Sequence, residues 1–272
     1  MLHERIFLDD TDDRVFIDTY VANDKSFKRD AILVIPGGGY GAICTQREGE
    51  PVALAYVAHG FNAFVLNYRV GRNGDVFPKQ LVDAGRAIIY IRENAERFGI
   101  NPKRVFTVGF SAGGHLSGSC AILYDAPEVK AALGISGEEN KPTASILAYP
   151  VVTANVEQTH KPTFKNLLGK PFEEITESEK KRFSLETAVR PDSAPMFLWH
   201  TREDTLVPLN GTLLLAQAAK DARVNVTLHV YPYGPHGLSV ANKITECNIV
   251  QYNQPLARGW ISDSVAWINT IE

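Results

Sequence analysis

The segment Gly109-Phe110-Ser111-Ala112-Gly113 has the G-x-S-x-G pattern, in which a serine can act as the nucleophile of acyl transfer. Residues 104–108 before it are β-branched and aromatic, which is typical of a strand, and the small and apolar residues 111–123 predict a helix. A tight turn between the two leaves room only for glycines at its ends. We therefore expect Ser111 Oγ to be exposed at a helix N-terminus, where the helix dipole and free backbone N–H groups favour developing negative charge.

A serine hydroxyl is a weak nucleophile, so it needs a base within hydrogen-bond reach, and that base needs a carboxylate to orient it. The order that fits the G-x-S-x-G turn is nucleophile, acid, histidine, each on a loop after a strand. Asp204 follows the predicted strand 196–200, and His236 lies in a glycine and proline loop after the predicted strand 226–231. We predict that Ser111, Asp204 and His236 form a catalytic triad.

Other carboxylates and histidines compete for these roles. Glu203 is the alternative acid, but adjacent loop residues rarely point the same way, and the position in the motif favours Asp204. His115 lies one helical turn past Ser111, so we expect it to support the turn rather than act as the base. His200 ends the strand before Asp204 and is a candidate to contact that acid. The remaining histidines carry no catalytic signal or lie inside predicted elements: His3, His59, His160 and His229.

A glycine-rich loop precedes the serine motif. Residues 31–35 are an unbroken apolar run typical of a buried central strand, and residues 36–40 that follow read Pro-Gly-Gly-Gly-Tyr. Consecutive glycines let the backbone approach a ligand and present N–H groups to it. We interpret the segment as an oxyanion-hole loop, because it comes before the serine in the order that the mechanism requires; the alternative is a flexible turn.

The whole chain alternates strand and helix patterns, which predicts an α/β fold with about eight strands in a mostly parallel sheet and helices on both faces. Functional residues in such sheets lie at the carboxyl ends of the strands. The predicted strands are residues 5–8, 14–22, 31–35, 61–68, 104–108, 145–149, 196–200 and 226–231. The predicted helices are residues 51–59, 77–98, 111–123, 173–182, 209–222 and 256–271.

The length of 272 residues and the hydrophobic content of 44% are enough for one large buried core. We predict a single domain over residues 1–272. Residues 151–195 contain Pro162, Pro171 and Pro191 and lack the apolar periodicity that a core of their own would need. We interpret this segment as a small inserted cap or lid beside the pocket.

The net charge of −3 provides no basic surface for nucleic acid or an anionic membrane, so the expected partner is a small molecule. The absence of a secretory or membrane-spanning apolar run predicts a cytoplasmic protein. Cys44, Cys120 and Cys247 are odd in number and far apart, so we expect free thiols, and without H-E-x-x-H spacing we expect neither a metal nor a cofactor. Homodimer formation leaves no distinct mark in one sequence.

Several motifs occur along the chain in a characteristic order, spread over about four fifths of its length. They are Pro36-Gly37-Gly38-Gly39-Tyr40, Asn67-Tyr68-Arg69, Gly109 to Leu116, Tyr149-Pro150, Trp199-His200-Thr201 through Asp204 with Val207-Pro208, and His236-Gly237-Leu238. With these motifs the chain resembles the α/β-hydrolase superfamily, and within it the esterases and lipase-like sugar esterases described as acetylxylan esterase or carbohydrate esterase relatives.

The resemblance implies an α/β-hydrolase fold, an oxyanion hole formed by the N–H groups of Gly38 or Gly39 with Ala112, and a pocket lined by Tyr40. Many relatives begin the glycine loop with histidine where this chain has Pro36, so the choice between the glycine amides stays open. The implied activity is two-step hydrolysis of a short-chain acyl ester, mainly acetyl, on sugars or xylo-oligosaccharides, without a cofactor. The alternatives are a general short-chain carboxylesterase, an amidase of the kynurenine-formamidase kind, and a non-catalytic α/β-hydrolase that binds a ligand.

Overall fold

The computed structural model describes residues 1–155, 159–246 and 250–271, and Cys247 lies outside the described residues. Within those ranges eight strands form one sheet in the order β1-β2-β4-β3-β5-β6-β7-β8. In chain order the strands are β1 Arg5–Phe7, β2 Phe16–Tyr20, β3 Arg29–Ile35, β4 Asn62–Asn67, β5 Ile100–Phe110, β6 Ser145–Ala148, β7 Met196–Thr201 and β8 Val226–Tyr231.

The sheet is parallel from β4 to β8, and only its β1 and β2 end is antiparallel among the strands described. The prediction of a mostly parallel sheet is therefore confirmed. Residues 31–35 of β3 are fully buried, because helices cover the sheet on both sides. This position explains the unbroken apolar run, since a strand covered on both faces has no polar face.

The helices are α1 Thr45–Glu48, α2 Glu50–Ala58, α3 Lys79–Glu93, α4 Ala95–Phe98, α5 Ala112–Ile122, α6 Pro127–Leu133, α7 Lys161–Leu168, α8 Glu177–Phe183, α9 Leu185–Ala188, α10 Asn210–Asp221 and α11 Trp260–Ile268. Alternate residues of β3 face opposite sides of the sheet. Ile32 and Val34 pack with α2 and α11, whereas Leu33 and Ile35 pack with α3 and α5. None of the described helices is both long and apolar enough to cross a lipid bilayer.

Some helix boundaries differ from the prediction. The helices α1, α6, α7 and α9 were not predicted. In α6 and α7, Pro127 and Pro162 occupy the first helical turn, where the missing N–H has no partner to lose. The single helix predicted over 77–98 is divided into α3 and α4 at Asn94, whose side-chain amide donates to Tyr90 O at 2.9 Å. The last helix begins four residues later than predicted, at Trp260 rather than Leu256.

The described part of residues 151–195 contains α7, α8 and α9. Phe164, Leu167 and Phe183 are buried in the same apolar cluster as α3 and α5, and Leu185 packs with residues of β6, β7 and α10. The segment therefore shares the apolar core of the sheet instead of forming its own. Its function as a lid stays a prediction.

A buried ion pair fixes the end of β4 to α3. Arg69 Nε donates to Asp83 Oδ2 at 3.0 Å, and the backbone N–H of Arg69 donates to the same oxygen at 2.9 Å. The Asp83 side chain is fully buried, and the Arg69 side chain is 13% exposed. Removing one partner would leave the other as a buried charge without compensation.

We predict that Asp83→Ala lowers the free energy of unfolding by about 3–5 kcal/mol, because it leaves the Arg69 guanidinium as a buried charge without a partner. Asp18→Ala is the matched control, since the Arg5–Asp18 pair is 52% and 24% exposed, and its loss should cost about 0–1 kcal/mol. Urea denaturation followed by circular dichroism measures both. Equal effects of the two substitutions would contradict the assignment of Arg69–Asp83 as a stabilising pair.

Candidate active site

Ser111 occupies a strained turn between β5 and α5. Its backbone has φ 54° and ψ −118°, a conformation that non-glycine residues rarely adopt. A Cβ on Gly109 would lie 2.0 Å from Gly113 O, and a Cβ on Gly113 would lie 2.1 Å from Ile35 O. The two glycines of the motif are therefore required by close backbone contact, as the pattern predicts.

The structure brings the three predicted triad residues together. His236 Nε2 lies 2.8 Å from Ser111 Oγ, and His236 Nδ1 lies 2.6 Å from Asp204 Oδ2. A carboxylate only accepts, so Nδ1 carries the proton and Nε2 is left to accept the Ser111 hydroxyl. This is the arrangement in which a histidine can remove the proton of a serine nucleophile.

The Asp204 carboxylate accepts hydrogen bonds from other groups in addition to His236. Its Oδ1 accepts the N–H groups of Leu206 and Val207 at 3.0 and 2.9 Å, and its Oδ2 also lies 3.1 Å from His200 Nε2. Burial raises the pKa of this carboxyl, but the hydrogen bonds from His200 and His236 outweigh burial and hold the pKa below its usual range. The carboxylate thus stays ionised opposite His236 near neutral pH.

The neighbouring carboxylate has a different contact. Glu203 Oε2 accepts the backbone N–H of Gly234 at 3.2 Å, so it supports the loop that carries His236. Of the two candidate acids, Glu203 and Asp204, it is Asp204 that contacts His236 in the structure. His200, expected near the acid, also lies 2.8 Å from Thr212 Oγ1 through Nδ1 and is thereby fixed in orientation.

The glycine loop has two backbone amides without a hydrogen-bond acceptor among the described residues. The N–H of Gly37 is already used, because it donates to Glu48 Oε2 at 2.8 Å. The N–H groups of Gly38, Gly39 and Ala112 have no acceptor among the described residues. Gly38 and Gly39 line the same cavity as Ser111 and His236. These amides, and not that of Gly37, are available to a developing oxyanion.

A buried carboxylate connects the glycine loop to the histidine loop. Glu48 is 2% exposed, and its second oxygen accepts the Tyr149 hydroxyl at 2.9 Å. That hydroxyl in turn accepts the backbone N–H of Ser239 at 2.9 Å, and the Tyr149 ring packs against the His236 ring with centroids 4.9 Å apart. Sequence reasoning did not single out Glu48, because no local pattern marks a residue whose partners lie on distant loops.

The cleft beside Ser111 has a volume of about 310 Å³. Its wall includes one histidine that sequence reasoning set aside: His160, which immediately precedes α7 and lies 2.7 Å from Thr163 Oγ1 through Nδ1. Burial lowers the pKa of His160, and the proximity of His236 lowers it further. The residues that line the cleft are Gly38, Gly39, Cys44, Arg47, Glu48, Ser111, His160, Pro162, Asn166, Leu206 and His236.

Tyr40 does not line the cleft, which corrects the expectation for this residue. It is fully buried, and its hydroxyl lies 2.9 Å from His115 Nδ1. His115 Nε2 lies 2.8 Å from Phe183 O, so the ring donates there and accepts from Tyr40. Tyr40 has φ 54°, a turn conformation that directs the side chain under the loop. His115 therefore links the glycine loop to residues 151–195.

Comparisons with known proteins identify the family to which the chain is similar. The BD-FAE family model matches residues 17–219. The chain is 39% identical over 230 residues to an endo-1,4-beta-xylanase B of Butyrivibrio fibrisolvens, covering 82% of this chain and 34% of that protein. It is 33% identical over 212 residues to an acetylxylan esterase of Xylanibacter ruminicola, covering 76% of this chain and 40% of that protein. The chain thus spans well under two thirds of the length of these relatives.

A solved structure resembles the chain over its whole length. The acetyl ester-xyloside bifunctional hydrolase of Caldicellulosiruptor lactoaceticus superposes with a TM-score of 0.78 at 31% identity, and the match covers 97% of each chain. The resemblance therefore extends over nearly the whole chain and includes the fold.

The buried His115 should make stability depend on pH. Burial lowers the pKa of His115 to about 4 from an ordinary value of 6.5, and the hydrogen bond to Phe183 O only partly offsets this. Between these values the unfolded chain binds more protons, so stability is highest above pH 6.5 and falls towards pH 4. We predict that His115→Gln, which does not titrate, shows a slope smaller by about 1 kcal/mol per pH unit. Denaturation at several pH values tests this, and identical slopes would contradict it.

We predict that Glu48→Ala lowers kcat for p-nitrophenyl acetate by about 10–100-fold with little change in KM, because misplaced oxyanion donors act mainly on the transition state. Glu48→Gln should recover part of the loss, since its amide oxygen can accept the Gly37 N–H. The exposed Glu50 supplies the matched control, Glu50→Ala. A raised KM with an unchanged kcat would contradict this role of Glu48.

Proposed function

We propose that this chain, which belongs to the BD-FAE family and has the α/β-hydrolase fold, is a serine ester hydrolase that removes short acyl groups, principally acetyl, from sugars or xylo-oligosaccharides. The observation that carries this proposal is the continuous hydrogen-bonded line from Ser111 Oγ through His236 to Asp204, at 2.8 and 2.6 Å. Ser111 lies in a cleft that Gly38 and Gly39 also line, and the N–H groups of these glycines have no acceptor among the described residues.

In the proposed first step, Ser111 Oγ attacks the acyl carbonyl carbon while His236 Nε2 takes the hydroxyl proton. The oxyanion accepts hydrogen bonds from Ala112 and from Gly38 or Gly39, each of which contributes about 3 kcal/mol in comparable sites. Asp204 stabilises the imidazolium. His236 then gives the proton to the leaving alcohol, and the acyl-enzyme forms as the C–O bond breaks.

In the second step, water loses a proton to His236 and attacks the acyl-enzyme, and the same donors hold the second oxyanion. Ser111 then leaves with the proton from His236. The products are the free acid and the regenerated enzyme. All groups needed for both steps belong to the protein, so the proposed reaction uses no cofactor.

Two features support a short acyl group and a larger alcohol. The cleft at Ser111 has only about 310 Å³, which suits a small acyl group. Leu206 also lines an open depression of about 640 Å³ next to Asp204. The polar side chains of Thr159, Thr205 and Asn210 and the exposed guanidinium of Arg202 border this depression, and such groups suit the hydroxyl groups of a sugar. The names of the relatives point to the same class of substrate.

We predict that Ser111→Ala loses turnover of p-nitrophenyl acetate by about 10⁴-fold or more and loses labelling by a fluorophosphonate, because both require the hydroxyl. The exposed Ser136 supplies the control Ser136→Ala, which should keep both. The same variants are then tested on an acetylated xylo-oligosaccharide and on N-formylkynurenine.

Each outcome of this experiment separates one function from the others. Release of acetate from the oligosaccharide by the wild type alone supports the proposal. Turnover of the aryl acetate without the oligosaccharide would point to a general short-chain carboxylesterase, and turnover of N-formylkynurenine would point to an amidase. A folded wild type that neither turns over nor becomes labelled would indicate a ligand-binding protein.

A further inference from the structure

Arg47 is a charged residue in the wall of the cleft, and it has no role in the proposed reaction. It lies in α1, directly after the glycine loop, and lines the same cavity as Ser111 and His236. Its side chain is only 25% exposed. A guanidinium that is three-quarters buried needs acceptors for its N–H groups, because burial removes much of its hydration.

Within the described part of the chain these donors have no acceptors. None of the five N–H groups of Arg47 makes a hydrogen bond to a described residue, and Nε is closed off from solvent. The nearest carboxylate is Glu48, whose Oε1 lies 3.9 Å from Arg47 Nη2, too far for a hydrogen bond. Both Glu48 oxygens already accept from Gly37 and Tyr149.

The guanidinium is held in place although no described residue accepts a hydrogen bond from it. It lies over the ring of Tyr252, with Cζ 4.9 Å from the ring centroid. It also lies against the residue after His236, since a Cβ on Gly237 would come within 2.8 Å of Nη2. These contacts fix the planar donor group next to the histidine loop, and a fixed planar fork is suited to a carboxylate.

The other ionisable groups that line the cleft do not supply a second cation. Burial raises the pKa of Cys44, which keeps the thiol protonated. Burial lowers the pKa of His160, which favours the neutral ring. The two carboxylates are already engaged, because Glu48 accepts the Gly37 N–H and Asp204 is paired with His236. Among the described residues of the cleft wall, Arg47 is thus the permanent positive charge.

We propose that Arg47 is a carboxylate-binding subsite, so that the preferred ester carries a carboxylate near the scissile bond. This proposal rests on the proposed ester hydrolysis and narrows its substrate class to acidic esters. The carboxylate can belong to the acyl group, as in a dicarboxylic acid monoester, or to the alcohol, as in an acylated sugar acid. Arg47 would bind it in both cases through two parallel N–H···O bonds.

The test compares matched pairs of esters in the wild type and in Arg47→Gln. The acyl pair is p-nitrophenyl hemisuccinate and p-nitrophenyl butyrate, and the alcohol pair is an acetylated glucuronoside and the corresponding acetylated glucoside. The measured quantity is the ratio of kcat/KM for the anionic ester to that for the neutral ester. Arg5→Gln is the control, because it removes the same charge from an exposed site that is 52% accessible.

We predict a ratio well above one in the wild type for one of the two pairs, and a decrease of about 10–100-fold in Arg47→Gln, as expected for loss of a charge-assisted hydrogen-bonded contact. Arg47→Lys should give an intermediate ratio, because it keeps the charge and loses the fork. The pair that shows the preference identifies whether the carboxylate belongs to the acyl group or to the alcohol.

Equal ratios in the wild type, Arg47→Gln and Arg5→Gln for both pairs would overturn the proposal. Free succinate and glucuronate provide a measurement that needs no variant: the acid that corresponds to the preferred pair should inhibit wild-type turnover of p-nitrophenyl acetate, and inhibition by both acids no stronger than that by glucose would also overturn the proposal. Continued turnover of p-nitrophenyl acetate by the wild type in that experiment would leave the proposed ester hydrolysis intact, so the two failures are distinguishable.

Discussion

The close backbone contact around Ser111 is the constraint on which the remaining site depends. Because Gly113 approaches Ile35 O and Gly109 approaches Gly113 O, the first turn of α5 is pressed against the end of β3. Ser111 is also tied to β6, since its N–H donates to Ala148 O at 3.0 Å and its carbonyl accepts from Val151 at 3.1 Å. The N-terminus of α5 is thereby fixed beside the glycine loop, and the free N–H of Ala112 lies at the same turn as the nucleophile.

A second constraint comes from polar groups that connect the loops at the carboxyl ends of the strands. Glu48 binds the glycine loop, Tyr149 follows β6, and Ser239 lies just after His236; the three form one chain of hydrogen bonds. Loops in general are more mobile than the strands and helices that they connect. Hydrogen bonds between loops reduce that freedom, so the distance from Ser111 to His236 depends on residues that touch neither atom.

The triad could be predicted from the sequence because each of its residues has a local signal. Ser111 lies between a strand and a helix pattern, and Asp204 and His236 each follow a strand pattern, so the parallel sheet brings them to one edge. The sheet could also be predicted from the sequence, since its buried strands are apolar runs. Helix α7 was missed because a proline in the first turn of a helix and a proline in a loop look alike in one sequence.

The residues that sequence reasoning missed depend on tertiary contacts. The direction of the Tyr40 side chain follows from its positive φ, which no spacing rule predicts, so the side chain expected in the pocket contacts His115 instead. His160 immediately precedes α7, a helix that was itself not predicted, and reaches the cleft only because α7 packs on the glycine loop, where Asn166 Nδ2 donates to Gly39 O at 2.8 Å.

The distribution of charge explains how a buried carboxylate can lie close to a site where an oxyanion develops. The Glu48 oxygens each accept a hydrogen bond, from Gly37 and from Tyr149, and these bonds offset part of the negative charge that the carboxylate places near the oxyanion site. Arg47 offsets part of the remaining field from 3.9 Å. The carboxylate can therefore fix the loop without opposing the charge that the loop has to stabilise, and the positive charge of Arg47 remains available to a group that enters the cleft.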